Sequence, residues 1–331
     1  MKNPEKAIEL IFDSSISFEK RCKTVFQFQV ENSPIFKRFV EPFGLRANDH
    51  PASYEIPLLP IRGFKDGKII TQLNREPELT FKSSGTSDMS LSVHRVLSQK
   101  IYEAAILKEF QTYFPFEDYI VLFHLPGYDQ NPHSSLIWMA KYLIESDPSG
   151  DSQFVSKEDL ENLDFRFPDR KKKFLLFGAA FGLMDFLDSS KFNPIDDLEI
   201  LETGGMKTHR REMTKPELRR ALSDGFEIPL ENIHSEYGMC ELLSQMYAIG
   251  EEWFQTPHWV QVSIRDPKNP SRICDVGEEG KIGIIDLANV YSCSFILTDD
   301  RGVMNETGLF KVLGRWNSED LRGCNFLIDH E

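Results

Sequence analysis

The first stretch that could do chemistry is Ser83-Ser84-Gly85-Thr86-Ser87, four hydroxylated side chains around one glycine. Glycine lets the backbone bend closely around a ligand, and its neighbours offer several N–H and O–H donors together, which suits phosphate. The same composition also makes an ordinary surface turn. Further along stand Thr203-Gly204-Gly205 with Lys207, Tyr237-Gly238-Met239-Cys240-Glu241, Thr298-Asp299-Asp300 and Gly314-Arg315. These supply a glycine pair, an aromatic ring, carboxylates and cations. A carboxylate such as Glu241 is the hard oxygen ligand that Mg²⁺ takes. Singly, each has a plain structural account: Tyr237 as a core aromatic, Glu241 as a carboxylate on a helix dipole, Asp300 as a turn residue, Arg315 as a surface cation.

The surrounding pattern says what must position these groups. Residues 4–45 carry apolar side chains at helical spacing, with Pro34 opening a further turn. Pro51 to Pro60 favours an extended passage into a turn at Gly63 and Gly67. From Val93 to Ile106 the apolar spacing predicts a helix over Ser92–Phe110, which would place the hydroxyl-rich loop at a helix N-terminus with its partial positive charge. Tyr119–Leu125 reads as a buried strand, followed by a helix over Ser134–Leu143. His124 and His133 flank the intervening turn as structural histidines. Residues 146–173 read as an exposed, charged excursion. Strand, glycine and helix recur at Phe174–Leu187. A strand at Leu198–Leu201 then precedes a helix opened by the capping box Thr214-Lys215-Pro216-Glu217, and Ile233–Tyr237 is a fourth strand with Gly238–Glu241 starting another helix. This alternation predicts an α/β fold with ligands beyond the carboxyl ends of the strands. After residue 250, short runs at Val260–Ile264, Lys281–Leu287 and Ser294–Thr298 between glycines and prolines read as antiparallel strands. The division is thus 1–250 as an α/β region and 251–331 as a β-rich subdomain with a tail, or the two as one compact unit.

Composition bounds the partners. With 331 residues, 40% of them apolar, the chain can bury a sizeable core, and its length is that of about two domains. The 52 acidic against 38 basic residues, a net charge of −14, repel nucleic acid and anionic membranes. Five scattered cysteines without a C-x-x-C pair suggest neither a zinc site nor a disulfide framework and fit a reducing cytoplasm. No apolar run is long enough for a signal peptide or a spanning helix.

Taken in order, the motifs resemble those of adenylate-forming enzymes. The loop Ser83–Ser87 is similar to their phosphate loop, Thr203-Gly204-Gly205 to their adenine-side glycine pair and Tyr237–Glu241 to their Tyr-Gly-x-Thr-Glu motif. Thr298-Asp299-Asp300 and Gly314-Arg315 resemble the Thr-Gly-Asp and Gly-Arg elements that close the nucleotide site. Within that superfamily the nearest likeness is to the acyl-protein synthetases of the bacterial bioluminescence fatty-acid reductase complex. It runs through Ile56-Pro57-Leu58-Leu59-Pro60, Glu202-Thr203-Gly204-Gly205 and Arg322-Gly323-Cys324. The resemblance implies the large N-terminal domain of that superfamily, layered sheets and helices with a β-rich C-terminal subdomain. It also implies ATP and Mg²⁺ as cofactors, with Ser83, Ser84, Gly85, Thr86 and Ser87 on the triphosphate, Gly204, Gly205, Tyr237 and Gly238 along the adenine, Glu241 on the metal, and Asp300 on the ribose with Arg315 nearby.

The resemblance further implies a carboxylic, fatty-type acid activated as acyl-adenylate and passed to a cysteine near the C-terminus, a position that Cys324 holds. An acyl-accepting reductase or carrier protein would be the partner; the oligomeric state stays open. Leu136, Ile137 and Met139 are the expected acyl pocket, a pattern that core packing also explains. The sequence departs from the superfamily pattern twice: Cys240 replaces the motif's threonine, and the mobile lid of about a hundred residues with its catalytic lysine has no counterpart. Lys207 is the internal candidate for the missing cation, and a solvent-exposed lysine fits equally. Two alternatives remain at this level, a coenzyme A ligase of phenylacetate-CoA ligase type and a catalytically silent nucleotide-binding scaffold.

Overall fold

The computed structural model describes residues 3–66, 68–71, 74–83, 91–127, 131–163, 171–190, 192–204 and 213–316. Three helices open it, α1 (Pro4–Phe12), α2 (Phe18–Asn32) and α3 (Pro34–Val40). Asn3 and Ser33 cap the first and third through backbone N–H groups, and proline occupies the first turn of both. The extended passage contains strand β1 (Leu59–Pro60) and ends in a helical turn, α4 (Gly63–Asp66).

Strands β2 (Leu79–Lys82) and β3 (Val93–Val96) follow as an antiparallel hairpin, and helix α5 begins only at Gln99, running to Tyr113. The predicted helix over Ser92–Phe110 is therefore corrected in its first turns. Val93 and Val96 fit a helical repeat on paper, but they sit in a strand paired with Lys82 and Leu79. Ser83 therefore follows one strand and Ser92 precedes another, and neither opens a helix. Of the hydroxyl-rich loop, Ser83 is described and residues 84–90 lie outside the described residues.

The repeating strand–helix units then build a sheet. Its elements are β4 (Tyr119–His124), α6 (Ser135–Ser146), β5 (Gln153–Phe154), α7 (Lys157–Glu161), β6 (Lys173–Ala179), α8 (Ala180–Ser189), β7 (Leu198–Thr203), α9 (Lys215–Phe226), β8 (Ile233–Tyr237) and β9 (Met246–Ala248). Among the described residues six strands lie in the order β5-β4-β6-β7-β8-β9, parallel except for the final antiparallel pair. Both faces are covered, which is why β4, β7 and β8 are buried at every residue. Phe174, Leu176 and Ile200 point to one face with Leu183, Phe186, Leu218 and Leu222 of α8 and α9. Leu175, Phe177 and Leu201 point to the other, with Ile106 and Phe110 of α5 and Leu143 of α6. The capping box at Thr214 is present as read, with Thr214 and Glu217 bonding each other's backbone N–H.

Two further readings change. Residues 146–173 are not wholly an exposed excursion: Val155, Leu160 and Leu163 are buried against the sheet. Gly238–Glu241 does not open a helix but a loop leading to β9, because Asp286 accepts the N–H groups of Leu243 (3.0 Å) and Ser244 (3.1 Å) that a helix would have turned inward.

The second sheet is formed by β10 (Val260–Arg265), β11 (Gly280–Asp286), β12 (Phe295–Met304) and β13 (Phe310–Arg315), with β1 added in parallel to β12. One hydrophobic cluster joins α1–α3, α5, α6 and strands of both sheets, including Leu242, Val260, Ile284 and Phe295. The sheets meet at Tyr237, whose ring centroid lies 5.8 Å from those of Phe254 and Phe310.

Candidate active site

Strand ends from both sheets and one hairpin neck converge here. Strand β8 ends at Tyr237, whose phenol donates to Asp300 Oδ2 at 2.7 Å. Asp300 is paired across the ladder with Arg315, and Arg315 Nε stands 3.4 Å from Asp300 Oδ1. A register shift at Arg301/Gly302 follows this pair and re-aims the end of β13, as bulges at functional rims do. Burial pushes the Asp300 carboxyl up, against the Tyr237 hydrogen bond and the Arg315 charge. The Tyr237 phenol is pushed well up by burial and by the Asp300 charge, so it remains a donor.

Its neighbour Asp299 faces the other way. Burial opposes its ionisation, but a 2.8 Å bond from Lys281 Nζ and the charges of Lys281 and Arg62 outweigh this and hold it below the usual range. Asp299 is thus tied up structurally, and Asp300 faces the site. The Thr298 hydroxyl fixes the turn between them, accepting the Asp300 N–H at 3.1 Å while donating to the Ile282 carbonyl at 2.8 Å.

Glu241 lies on the loop after β8. It is buried, and burial pushes its carboxyl up; the Ser92 hydroxyl and the Arg315 charge oppose this, and the Asp300 charge adds to it. Ser92 in turn pairs with Ser83: the Ser92 N–H donates to Ser83 Oγ at 3.0 Å and the Ser83 N–H to the Ser92 carbonyl at 3.1 Å. Glu241 therefore stands between two bonded groups: it is hydrogen-bonded toward Ser92 at the base of the hydroxyl-rich loop, and it lies within electrostatic reach of the Asp300, Arg315 and Tyr237 group.

The structure brings these predicted residues together, and Gly204 joins them at the end of β7 with a left-handed φ of 77°, a conformation that favours glycine. Gly238 has a different reason: a Cβ there would collide with Glu236 Oε1. Ser84, Gly85, Thr86, Ser87, Gly205, Lys207 and Cys324 lie outside the described residues. Met139 is 2% exposed and packs in the main core with Ile137, and Leu136 is half-buried against it.

Several residues that hold the site were not singled out from sequence. Asn289 Nδ2 donates to the Glu241 carbonyl at 2.9 Å, and Asp286, wholly buried, takes four donors from Leu243, Ser244 and Ala288. His94 of β3 donates through Nδ1 to the Cys240 carbonyl at 2.8 Å and accepts at Nε2 from the Ser292 hydroxyl at 2.9 Å. Burial lowers its pKa to about 4, so the ring is neutral and has one donor and one acceptor to match. On the other side His133 donates to the Thr80 carbonyl at 3.1 Å while its own carbonyl takes the Lys82 N–H at 3.0 Å. The hairpin that carries the loop is braced on both flanks. A polar residue inside an apolar run, as in Val-His-Arg-Val or around Asp286, was the available signal.

Among the described residues no group of three His, Cys, Asp or Glu stands together to hold a metal unaided, and no helix is long and apolar enough to cross a membrane.

The family described as "Acyl-protein synthetase, LuxE" matches residues 49–331. The chain is 23% identical over 337 residues to a long-chain-fatty-acid–luciferin-component ligase of Aliivibrio fischeri, covering 92% of this chain and 86% of that protein. It is 24% identical to the protein of the same name from Vibrio harveyi, covering 91% and 84%. Among solved structures it resembles 2-hydroxyisobutyryl-CoA ligase in the postadenylation state in complex with 2-HIB-AMP, with a TM-score of 0.69, 13% identity, and 90% of this chain and 67% of that one covered. It also resembles ATP-bound MatB from Rhodopseudomonas palustris, with a TM-score of 0.53 and 16% identity over 71% of this chain, spanning 47% of that protein. These structural likenesses establish the fold, that of adenylate-forming ligases, and the match over residues 49–331 places the chain in the LuxE acyl-protein synthetase family.

Proposed function

We propose that this protein is an ATP-dependent ligase that activates a fatty-type carboxylic acid as acyl-adenylate and passes the acyl group to its own Cys324, from which a partner such as a reductase or carrier protein would take it. The observation that carries this reading is that buried Glu241 lies between the Ser83–Ser92 pair, toward which it is hydrogen-bonded, and the Tyr237–Asp300–Arg315 group, within whose electrostatic reach it stands. It supports one nucleotide stretched from the hydroxyl-rich loop to Asp300.

In this reading the adenine lies along Tyr237 and Gly204, and Asp300 accepts the ribose hydroxyls while Tyr237 and Arg315 fix its carboxyl. The loop Ser83–Ser87 holds the phosphates. The acid's carboxylate oxygen attacks the α-phosphorus and pyrophosphate leaves. A cysteine thiolate then attacks the acyl carbonyl, the C–O bond to phosphate breaks, and AMP departs with the electron pair. The protein's part is to align anions that repel one another and to supply charge where it develops.

The donor set fits Mg²⁺. Glu241 is a buried carboxyl whose proton affinity is raised by desolvation and by the Asp300 charge, so a hard cation there relieves both. Glu241 would hold it together with phosphate oxygens and water, and the ion would neutralise triphosphate charge. Glu241, Ser92 and Arg315 meanwhile set the position of the site's near wall.

Acid-dependent ATP–pyrophosphate exchange tests adenylation directly. Exchange with a fatty acid, together with labelled acyl retained on denatured protein, supports the reading. Exchange without retention, with product formed on coenzyme A, would replace it by the coenzyme A ligase reading, and absence of exchange with every acid would leave the silent scaffold.

A further inference from the structure

Strand β8 reads Ile-His-Ser-Glu-Tyr, and all five residues are buried. Thr203 of β7 pairs with Glu236, and Glu236 pairs with Tyr247 of β9, so the three stand abreast across one face of the sheet. The Thr203 hydroxyl donates to Glu236 Oε2. The other oxygen, Oε1, lies against Gly238, at the start of the loop that carries Glu241. The carboxyl is thus one residue from Tyr237 and borders the proposed nucleotide site.

Helix α5 covers this face and presents Tyr102 and Glu109 to it, both buried. Tyr247 is within electrostatic reach of Glu236, Glu109 and Tyr102. It is 0% exposed, yet among the described residues its hydroxyl has no hydrogen-bond partner. Gln245, 4% exposed, has an unpartnered side-chain oxygen, and its Cγ lies 3.7 Å from the position a Cβ on Gly238 would take. A buried polar group with nothing to bond costs free energy, so a cluster of them signals something else that satisfies it. Gln245 Oε1 only accepts and the Tyr247 hydroxyl accepts as well as donates, so a donor is the group that could serve both. Burial pushes the carboxyls of Glu236 and Glu109 up to about 7, which leaves both poised between the neutral and the charged form.

We infer that Glu236, with Tyr247, reads a hydrogen-bond donor, a hydroxyl or an ammonium, carried near the carboxyl end of the acid, making the enzyme selective for a substituted acid over the plain alkyl acid. This rests on the adenylation reading. A site built around a buried acceptor discriminates strongly, because an acid without the donor leaves that acceptor unpaired.

Pyrophosphate exchange should be measured with decanoic and tetradecanoic acids and with the α-hydroxy, β-hydroxy and β-amino derivatives of each. A kcat/KM at least about tenfold higher for one substituted acid than for its parent is the expected result. A β-amino preference would assign an ammonium and a hydroxy preference a hydroxyl. Glu236→Leu should bring the ratio toward unity, Glu236→Gln should retain part of it, and Tyr247→Phe, which removes one hydroxyl at constant shape, should lower it several-fold. A wild-type ratio near or below unity overturns the inference alone and points to ordered water as the missing partner. So does an unchanged ratio in Tyr247→Phe together with either Glu236 variant. Absence of exchange with every acid overturns the adenylation reading and this inference together.

Discussion

Tyr237 Oη lies 2.7 Å from Asp300 Oδ2, and this hydrogen bond joins the parallel sheet to the antiparallel one at the point where the nucleotide motifs meet. The ring that donates it packs against the stacked pair Phe254 and Phe310, so the contact is held by packing as well as by polarity. Asp300 is therefore aimed before any ligand arrives.

Tyr237→Phe keeps this ring packing and removes the donor, leaving a buried carboxylate short of one partner. The expected loss is about 1–3 kcal/mol of unfolding free energy. The KM for ATP should rise about tenfold, while the KM for the acid changes less than about twofold. Urea unfolding and steady-state kinetics measure both. A variant with wild-type ATP affinity would remove Asp300 from the nucleotide's contacts.

Glu241→Gln alters charge at nearly constant volume. The Ser92 contact and the Asn289 bond to the Glu241 carbonyl both survive, so stability should fall by no more than about 1 kcal/mol. Exchange should drop at least about a hundredfold, with a shifted dependence on Mg²⁺ concentration. An unchanged metal dependence would assign the ion to other ligands.

His94 makes stability depend on pH with a definite sign. Its folded pKa is lowered by burial to about 4 from the ordinary 6.5, so between these limits the unfolded chain binds more protons and unfolding free energy rises with pH. The stabilisation from neutral His94 is complete above about pH 6.5 and is lost as pH falls toward 4. Its size is at most about 3 kcal/mol. Buried carboxyls raised by desolvation, Glu236 and Glu109 to about 7 and Asp286 to about 6, act in the opposite sense and lose stability as pH rises through those values. The comparison of His94→Gln with wild type, by urea unfolding at pH 4.5 and 7, isolates the histidine. The cost of the substitution should be larger at pH 7, and an equal cost at both would show that His94 does not titrate between them.

How much of this was legible differs by kind of information. Strand β8 was readable to its end residues and the capping box at Thr214 to its partners, because both signals are local. Gly238–Glu241 was misread as a helix start because what keeps it a loop, Asp286, lies 43 residues from Leu243 in sequence and becomes a neighbour only in the fold. Val93 and Val96 fit a helical repeat, and the strand that overrides it is across a hairpin. His, Ser and Glu inside a short run bounded by Ile233 and Tyr237 were the one visible sign that polar groups would be buried beside the nucleotide motifs.

The proposed acyl transfer turns on Cys324, and the chain's other thiols are poorly placed for it. Five cysteines occur in the chain. Burial pushes the thiols of Cys22, Cys240 and Cys293 up, and it raises Cys274 as well, with nearby acidic charge adding to the effect. A thiol held protonated is a poor nucleophile, since the thiolate is the attacking form. Cys240, although inside the Tyr237–Glu241 motif, is further restrained because its carbonyl takes the His94 bond. Cys324 lies outside the described residues. We expect Cys324→Ser to retain acid-dependent pyrophosphate exchange within about twofold, because adenylation needs no thiol, and to carry no hydroxylamine-labile acyl group. Cys240→Ser should still be labelled. Labelling of Cys324→Ser at the wild-type level would overturn the assignment, and its loss in Cys240→Ser with exchange intact would move the acyl group to a buried thiol, which would then need an opening of the loop to react.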